Sequence, residues 1–195
     1  MNATDTGPTH DIGSVVYYLP GYGGRLHTGL GQALLQRGLH VAGRETVGDF
    51  RYLPFDEQVE VIRDDLTRHF WHPRARVVAN SFGAYLFFHG QMGMAPFPGR
   101  VLLLSPIVGR FDNQGSGLAF EPPYPERLHE RRFGMPADCE IHVGELDWQS
   151  VPSAVQRLGQ RLEVPVTVVP GKGHTLGESY VGPLLDRWLS AGASS

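Results

Sequence analysis

Three side chains in this sequence are of the types that together make a nucleophile, and each follows a run that reads as a buried strand. Ser81 sits in Ala79-Asn80-Ser81-Phe82-Gly83, directly after the run Ala75–Ala79 and directly before an expected apolar helix, Ala84-Tyr85-Leu86-Phe87-Phe88. A serine on a tight strand-to-helix turn is forced into strained geometry that exposes its hydroxyl, and small residues two positions to either side let the backbones pass. The hydroxyl attacks a carbonyl poorly unless a base takes its proton, and a carboxylate must hold that base in one tautomer. His174, in Pro170-Gly171-Lys172-Gly173-His174-Thr175, follows the run Pro165–Val169. Asp147, in Gly144-Glu145-Leu146-Asp147, follows Cys139–Val143, with Glu145 as a second carboxylate two residues away. Of nine histidines, His174 is the one set in a glycine-rich loop after a strand. If these strands are parallel, all three loops leave the same edge of one sheet.

The elements that must position them follow from apolar spacing. Short β-branched or aromatic runs bounded by turn residues predict strands at Ser14–Leu19, Ala75–Ala79, Arg100–Leu104, Cys139–Val143 and Pro165–Val169, with a weaker one at Leu39–Ala42. Phe55, Val59, Ile62, Leu66 and Phe70 recur at steps of three and four, the stripe of an amphipathic helix begun at Pro54. Val151, Val155, Leu158 and Leu162 make a second stripe with Ser150 as its expected cap. Further helices are expected over Thr28–Arg37, which Gly38 closes, and around Val181, Leu185 and Trp188. Such alternation predicts a doubly wound α/β domain, a mainly parallel sheet of about six strands with helices on both faces. The whole chain, 1–195, reads as one domain with an ordered core over 13–190 and frayed ends at Met1–Ile12 and Ala191–Ser195. One connection, 105–138, is long and rich in Gly, Pro and aromatics. It predicts a short helix near Glu126–Arg132 and a lid or pocket in which Phe111, Phe120, Tyr124 and Phe133 face a substrate.

Composition excludes several classes. Hydrophobic residues make up 41% and charged residues 19% of 195, ordinary for a globular protein. A net charge of −3 without a Lys/Arg run argues against a nucleic-acid partner. No apolar run approaches the roughly 18 residues of a membrane span, so no membrane partner is expected. Met1–Gly13 is polar and has no signal-peptide pattern, and the lone Cys139 rules out an internal disulfide, which makes the cytoplasm the default location. His69 and His72 offer half a metal site with no third ligand suggested by spacing, so neither metal nor cofactor is expected. Gly21-Tyr22-Gly23-Gly24 with Glu45 partly matches a dinucleotide-binding turn. However, Leu26 stands at the third glycine position, and the helix begins too late to hold a pyrophosphate.

The turn around Ser81, with candidate acid and base following in the order Ser, Asp, His, resembles the α/β-hydrolase superfamily over nearly the whole of Ser14–Leu189. Ala79 replaces the glycine commonest there and keeps the position small. The resemblance implies a minimal version of that fold, without the first two strands or a full cap domain of larger members. It also offers Asp112, after Arg100–Leu104, as another place where the acid is found. It implies an oxyanion hole from the backbone N–H of Phe82 and, by matching Pro20-Gly21-Tyr22-Gly23-Gly24 to the family's His-Gly-x-x-Gly loop, that of Tyr22. Pro20 departs from the usual histidine. The implied activity is cleavage of a small-molecule carboxylic ester or thioester through an acyl-enzyme. An amidase or peptidase has the same triad, and a different reading is a catalytically silent scaffold that acts by binding.

Overall fold

The computed structural model describes residues 11–113, 117–130 and 133–191. Six strands form one sheet, β1 Val15–Leu19, β2 His40–Gly43, β3 Arg76–Asn80, β4 Arg100–Leu104, β7 Cys139–Gly144 and β8 Val166–Val169. They are ordered β2-β1-β3-β4-β7-β8, and every neighbouring pair is parallel. From β1, one strand in from an edge, the chain steps out to β2, then crosses back over β1 to β3. That reversal is a topological switch point, where ligands bind in the crevice outside the carboxyl ends of the strands.

The period of two divides each strand between two cores. Tyr17, Leu19, Val77, Ala79, Val101, Leu103, Ile141 and Val143 face one side, while Val16, Tyr18, Val78, Leu102 and Leu104 face the other. The first side is covered by α3 Phe55–Asp65, α4 Phe82–Gln91 and α6 Pro152–Leu162, the second by α1 Leu30–Leu35 and α7 Glu178–Ser190. Burial on both faces is why these strands read as unbroken apolar runs. All ten residues of α4 are buried, so this helix has no polar face and shows no stripe.

Several elements differ from expectation. The apolar stripe through Phe70 is α-helical only to Asp65 and ends in a π-helical turn, Leu66–Phe70. A short helix, α2 Gly48–Tyr52, fills the connection before α3. The helix expected over Thr28–Arg37 begins two residues later, at Leu30. Ser150 is not the cap of α6. That position is Val151, without a side-chain cap bond, and the Ser150 hydroxyl points into the protein. The long connection holds an antiparallel hairpin, β5 Phe111–Asn113 with β6 Leu118–Phe120, and α5 Pro125–Glu130. Residues 131–132 of the expected Glu126–Arg132 helix lie outside the described residues, as do 1–10 and 192–195 of the ends expected to fray. Ile12 instead opens a 3-10 turn, and Ala191 caps α7.

Leu102 is fully buried in the middle of the central strand β4, where a truncated side chain leaves a cavity that its sheet neighbours cannot fill. Leu102→Ala is expected to cost about 2–5 kcal/mol in denaturant unfolding without a change in m-value.

Candidate active site

Ser81 lies between the last residue of β3 and the first of α4, with φ 53° and ψ −120°. This is a conformation that non-glycine residues hold only at a cost of order 1–3 kcal/mol. Neighbours over-determine it. The Ser81 N–H donates to the Leu104 carbonyl at 3.0 Å, and its own carbonyl accepts from Tyr85 and Ile107 at 3.2 Å each. A Cβ on Gly83 would lie 2.1 Å from the Leu19 carbonyl oxygen, so only glycine lets α4 start this close to the end of β1. Ala79 is fully buried beneath the turn.

The imidazole of His174, in the loop between β8 and α7, is held at both nitrogens. Nε2 lies 2.9 Å from Ser81 Oγ, and Nδ1 lies 2.9 and 3.0 Å from the two carboxylate oxygens of Asp147. The loop carrying His174 runs hard against the end of β7. A Cβ on Gly144 would meet the Lys172 and Gly173 carbonyl oxygens at 2.3 and 2.4 Å. Three backbone and side-chain bonds tie the same two loops together: Leu146 N–H to the Lys172 carbonyl, Glu145 N–H to the Val169 carbonyl, and Gly171 N–H to Glu145 Oε2 at 2.8 Å. Glu145 therefore holds the histidine loop and does not face His174. Asp112, the other carboxylate considered, is exposed in the hairpin and faces Arg110 at 3.7 Å.

Asp147 is 2% exposed. Its Oδ1 accepts the N–H groups of Gln149 and Ser150 at 3.0 and 2.9 Å. Burial pushes the carboxyl upward, but the hydrogen bonds from His174 and the Ser150 N–H, with the charge of His174, outweigh it and hold the group below its ordinary value. Ser150 also donates its hydroxyl to the Ser105 carbonyl at 2.7 Å and sits 3.4 Å from His174 Nδ1. Sequence reasoning missed this role because a serine just before a helix looks like a cap.

The glycine-rich loop after β1 lies against the nucleophile, since a side chain on Gly21 would begin 3.1 Å from Ser81 Cβ. Thr46, buried in the loop after β2, clamps it. The Thr46 hydroxyl donates to the Gly21 carbonyl and accepts the Gly24 N–H, while its backbone exchanges bonds with Gly23 and Gly24. Glu45 accepts the Leu26 N–H at 3.0 Å, so the carboxylate weighed as a ribose ligand fastens the loop instead. Nothing in the sequence around Thr46 signals this function. The Tyr22 ring is 56% exposed and packs 5.8 Å from Phe82 and 5.9 Å from Phe120, under the guanidinium of Arg51.

A cavity of about 250 Å³ opens beside Phe82, lined by Tyr22, Phe55, Gln58, Phe120 and Pro123 among others. Of the four aromatics expected to face a pocket, Phe120 lines it. Phe111 packs on Phe120 and Trp148, Tyr124 on Phe55 and Arg127, and Phe133 on Phe88 of α4.

Known structures share this arrangement of strands and helices. The ydeN gene product of B. subtilis superposes with a TM-score of 0.62 at 16% identity, over 91% of this chain and 99% of that one. The chain has the α/β-hydrolase fold. Alpha/beta hydrolase domain-containing protein 10 from mouse matches at a TM-score of 0.65 and 11% identity, over 91% and 90% of the two chains. A carboxylesterase structure from Nitrososphaera gargenis matches at 0.61 and 13% identity, over 93% and 92%. No protein-family model and no curated protein sequence matches the chain. Within the α/β-hydrolase fold, Ser81, Asp147 and His174 stand after β3, β7 and β8, at one rim of the sheet. Among the described residues no helix is long and apolar enough to cross a membrane.

Because the Asp147 carboxyl titrates lower in the folded chain than in the unfolded one, its contribution to stability is full above the unfolded value of about 3.9. That contribution is lost as pH falls through the lower folded value. Thermal melts of the parent and Asp147→Asn are therefore expected to differ most near neutral pH, with the gap closing on acidification.

Proposed function

We propose that this chain is a serine hydrolase that cleaves a carboxylic ester of a small molecule by two-step acyl transfer. The observation that carries this reading is the unbroken chain of contacts from Ser81 Oγ through His174 to the buried Asp147, at 2.9 Å on both sides of the ring. His174 Nε2 takes the Ser81 proton as Oγ bonds to the ester carbon. It then gives that proton to the alkoxide oxygen as the carbon–oxygen bond breaks, releasing the alcohol and leaving the acyl-serine. Water then repeats the sequence, with His174 as base, and the acid departs. Ionised Asp147 accepts Nδ1–H and balances the imidazolium that forms in each half.

The oxyanion needs donors fixed in advance, each worth about 3 kcal/mol. The Phe82 N–H is one of the first-turn groups of α4 left without a helical acceptor, at the positive end of that helix. The Tyr22 N–H is assigned as the second, on the loop that Thr46 fixes beside Ser81. The acyl group belongs in the aromatic cavity, because Phe82 supplies both the amide next to the nucleophile and part of that cavity's wall. Its 250 Å³ has room for a short or aromatic acyl group.

Ser81→Ala is expected to lower kcat for a butanoyl ester by about a millionfold and to abolish labelling by a fluorophosphonate probe, with Asp147→Asn costing about ten thousandfold. A Ser81→Ala protein as active as the parent rules the mechanism out. Across straight-chain acyl esters of one alcohol, kcat/KM is expected to peak at or below about eight carbons and to fall beyond. Phe120→Ala should move that peak to longer chains.

A further inference from the structure

A second and larger space, a groove of about 730 Å³, opens between α1 and α7 at the same rim. His174, Gly21 and Asn80 line it, so it adjoins the nucleophile, and His174 belongs to this groove and not to the aromatic cavity. Resting on the ester-hydrolase reading above, we propose that the groove holds the alcohol half of the substrate and that this alcohol is an uncharged, polyhydroxylated molecule.

Position follows from proton transfer. The departing oxygen must receive its proton from His174 Nε2, which directs whatever is bonded to that oxygen into the space His174 borders. The volume, within the range of small-molecule sites, far exceeds what a simple alkanol fills.

The chemistry of the walls selects the class. Gln32 on α1 and Gln36, the residue that caps its end, stand one turn apart, exposed and lining the groove with Thr28 and Thr175. Amides and hydroxyls that both donate and accept suit the hydroxyls of a polyol. Deeper in, Tyr18 donates its hydroxyl to Asn80 Oδ1 at 2.8 Å, and burial pushes that phenol up so that it stays protonated. The donor fixes the amide, whose Nδ2 takes no partner among the described residues and lies beside Gly21, next to the nucleophile. Leu30, Leu104 and Val181 give an apolar surface for the C–H face of such a molecule.

Charge weighs against the main alternative, a phosphate-bearing thiol or alcohol. Both arginines at the groove are engaged. Arg25 faces Glu45 at 3.5 Å, and Arg37 binds Asp186 at 2.7 Å and the Ala33 and Gly182 carbonyls, joining α1 to α7. Glu178 adds an exposed carboxylate to the wall. An anion there would meet two arginines that already face carboxylates, the Lys172 ammonium that donates to Ser179 beside Gly177, and the added negative charge of Glu178.

The test compares butanoyl esters of glucose and of methanol, and a butanoyl thioester of a phosphate-bearing thiol, on the full chain. The readout is the ratio of kcat/KM for the glucose ester to that for the methyl ester, with fluorophosphonate labelling of each variant to confirm a folded site. The parent is expected to favour the glucose ester. The double variant Gln32→Ala/Gln36→Ala and the groove-filling Val181→Trp are each expected to lower the ratio by about tenfold or more. A parent that cleaves the methyl ester while its variants keep an unchanged ratio overturns the groove assignment alone. So does a parent that prefers the phosphate-bearing thioester. A parent that cleaves none of the three and takes no label overturns the hydrolase reading and this one with it.

Discussion

The bond between His174 Nδ1 and the Asp147 carboxylate is the contact on which the rim of this sheet depends. It joins the loop after β8 to the loop after β7, fixes the ring so that Nε2 faces Ser81, and buries a charge that only hydrogen bonds make tolerable. Such a charge is costly to take out of water unless its oxygens are satisfied, and here Gln149, Ser150 and His174 satisfy them. Ser150 extends the assembly to the end of β4 through the Ser105 carbonyl. Four strand ends thus meet around one imidazole, and the parallel sheet makes that possible by delivering β3, β4, β7 and β8 side by side.

A second pattern recurs around the site. Irregular loops are held by side chains that accept backbone N–H groups: Glu45 takes Leu26, Glu145 takes Gly171, Thr46 takes Gly24, and Asp147 takes two. A loop without sheet or helix partners must satisfy its amides somehow, and each such bond also removes freedom from the atoms that face a substrate. The loop beside Ser81 is held in this way by Thr46 and Glu45.

Much of the framework was legible because burial on two faces writes itself into the chain. Arg100–Leu104 was read with its observed ends, and Ser14–Leu19 and Cys139–Val143 within one residue of theirs. The positions of Ser81, Asp147 and His174 at strand ends could be read because turn residues bracket each run. What stayed hidden depends on tertiary contact. Thr46 and Ser150 act through partners more than twenty residues away, which no local spacing reveals. The hairpin strands are three residues each, too short for a period to register, whereas the helix expected after Ser81 is α4. The aromatics of 105–138 were legible as a cluster but not as individuals, since a ring packs equally well against a helix or a ligand.

The hairpin pairs only with itself and shares no ladder with the main sheet. Yet the segment that holds it, 105–138, contributes Phe120 and Pro123 to the aromatic cavity, and only its first residues, Ser105 and Ile107, bond to Ser150 and Ser81. Exchanges confined to the hairpin, beyond those first residues, can therefore be made without touching the bonds around Ser81 and Ser150, as a removable tool head is changed on a fixed handle. A grafted hairpin in place of β5 and β6 offers protein engineers a way to reshape the wall of that cavity with the rim of the sheet intact.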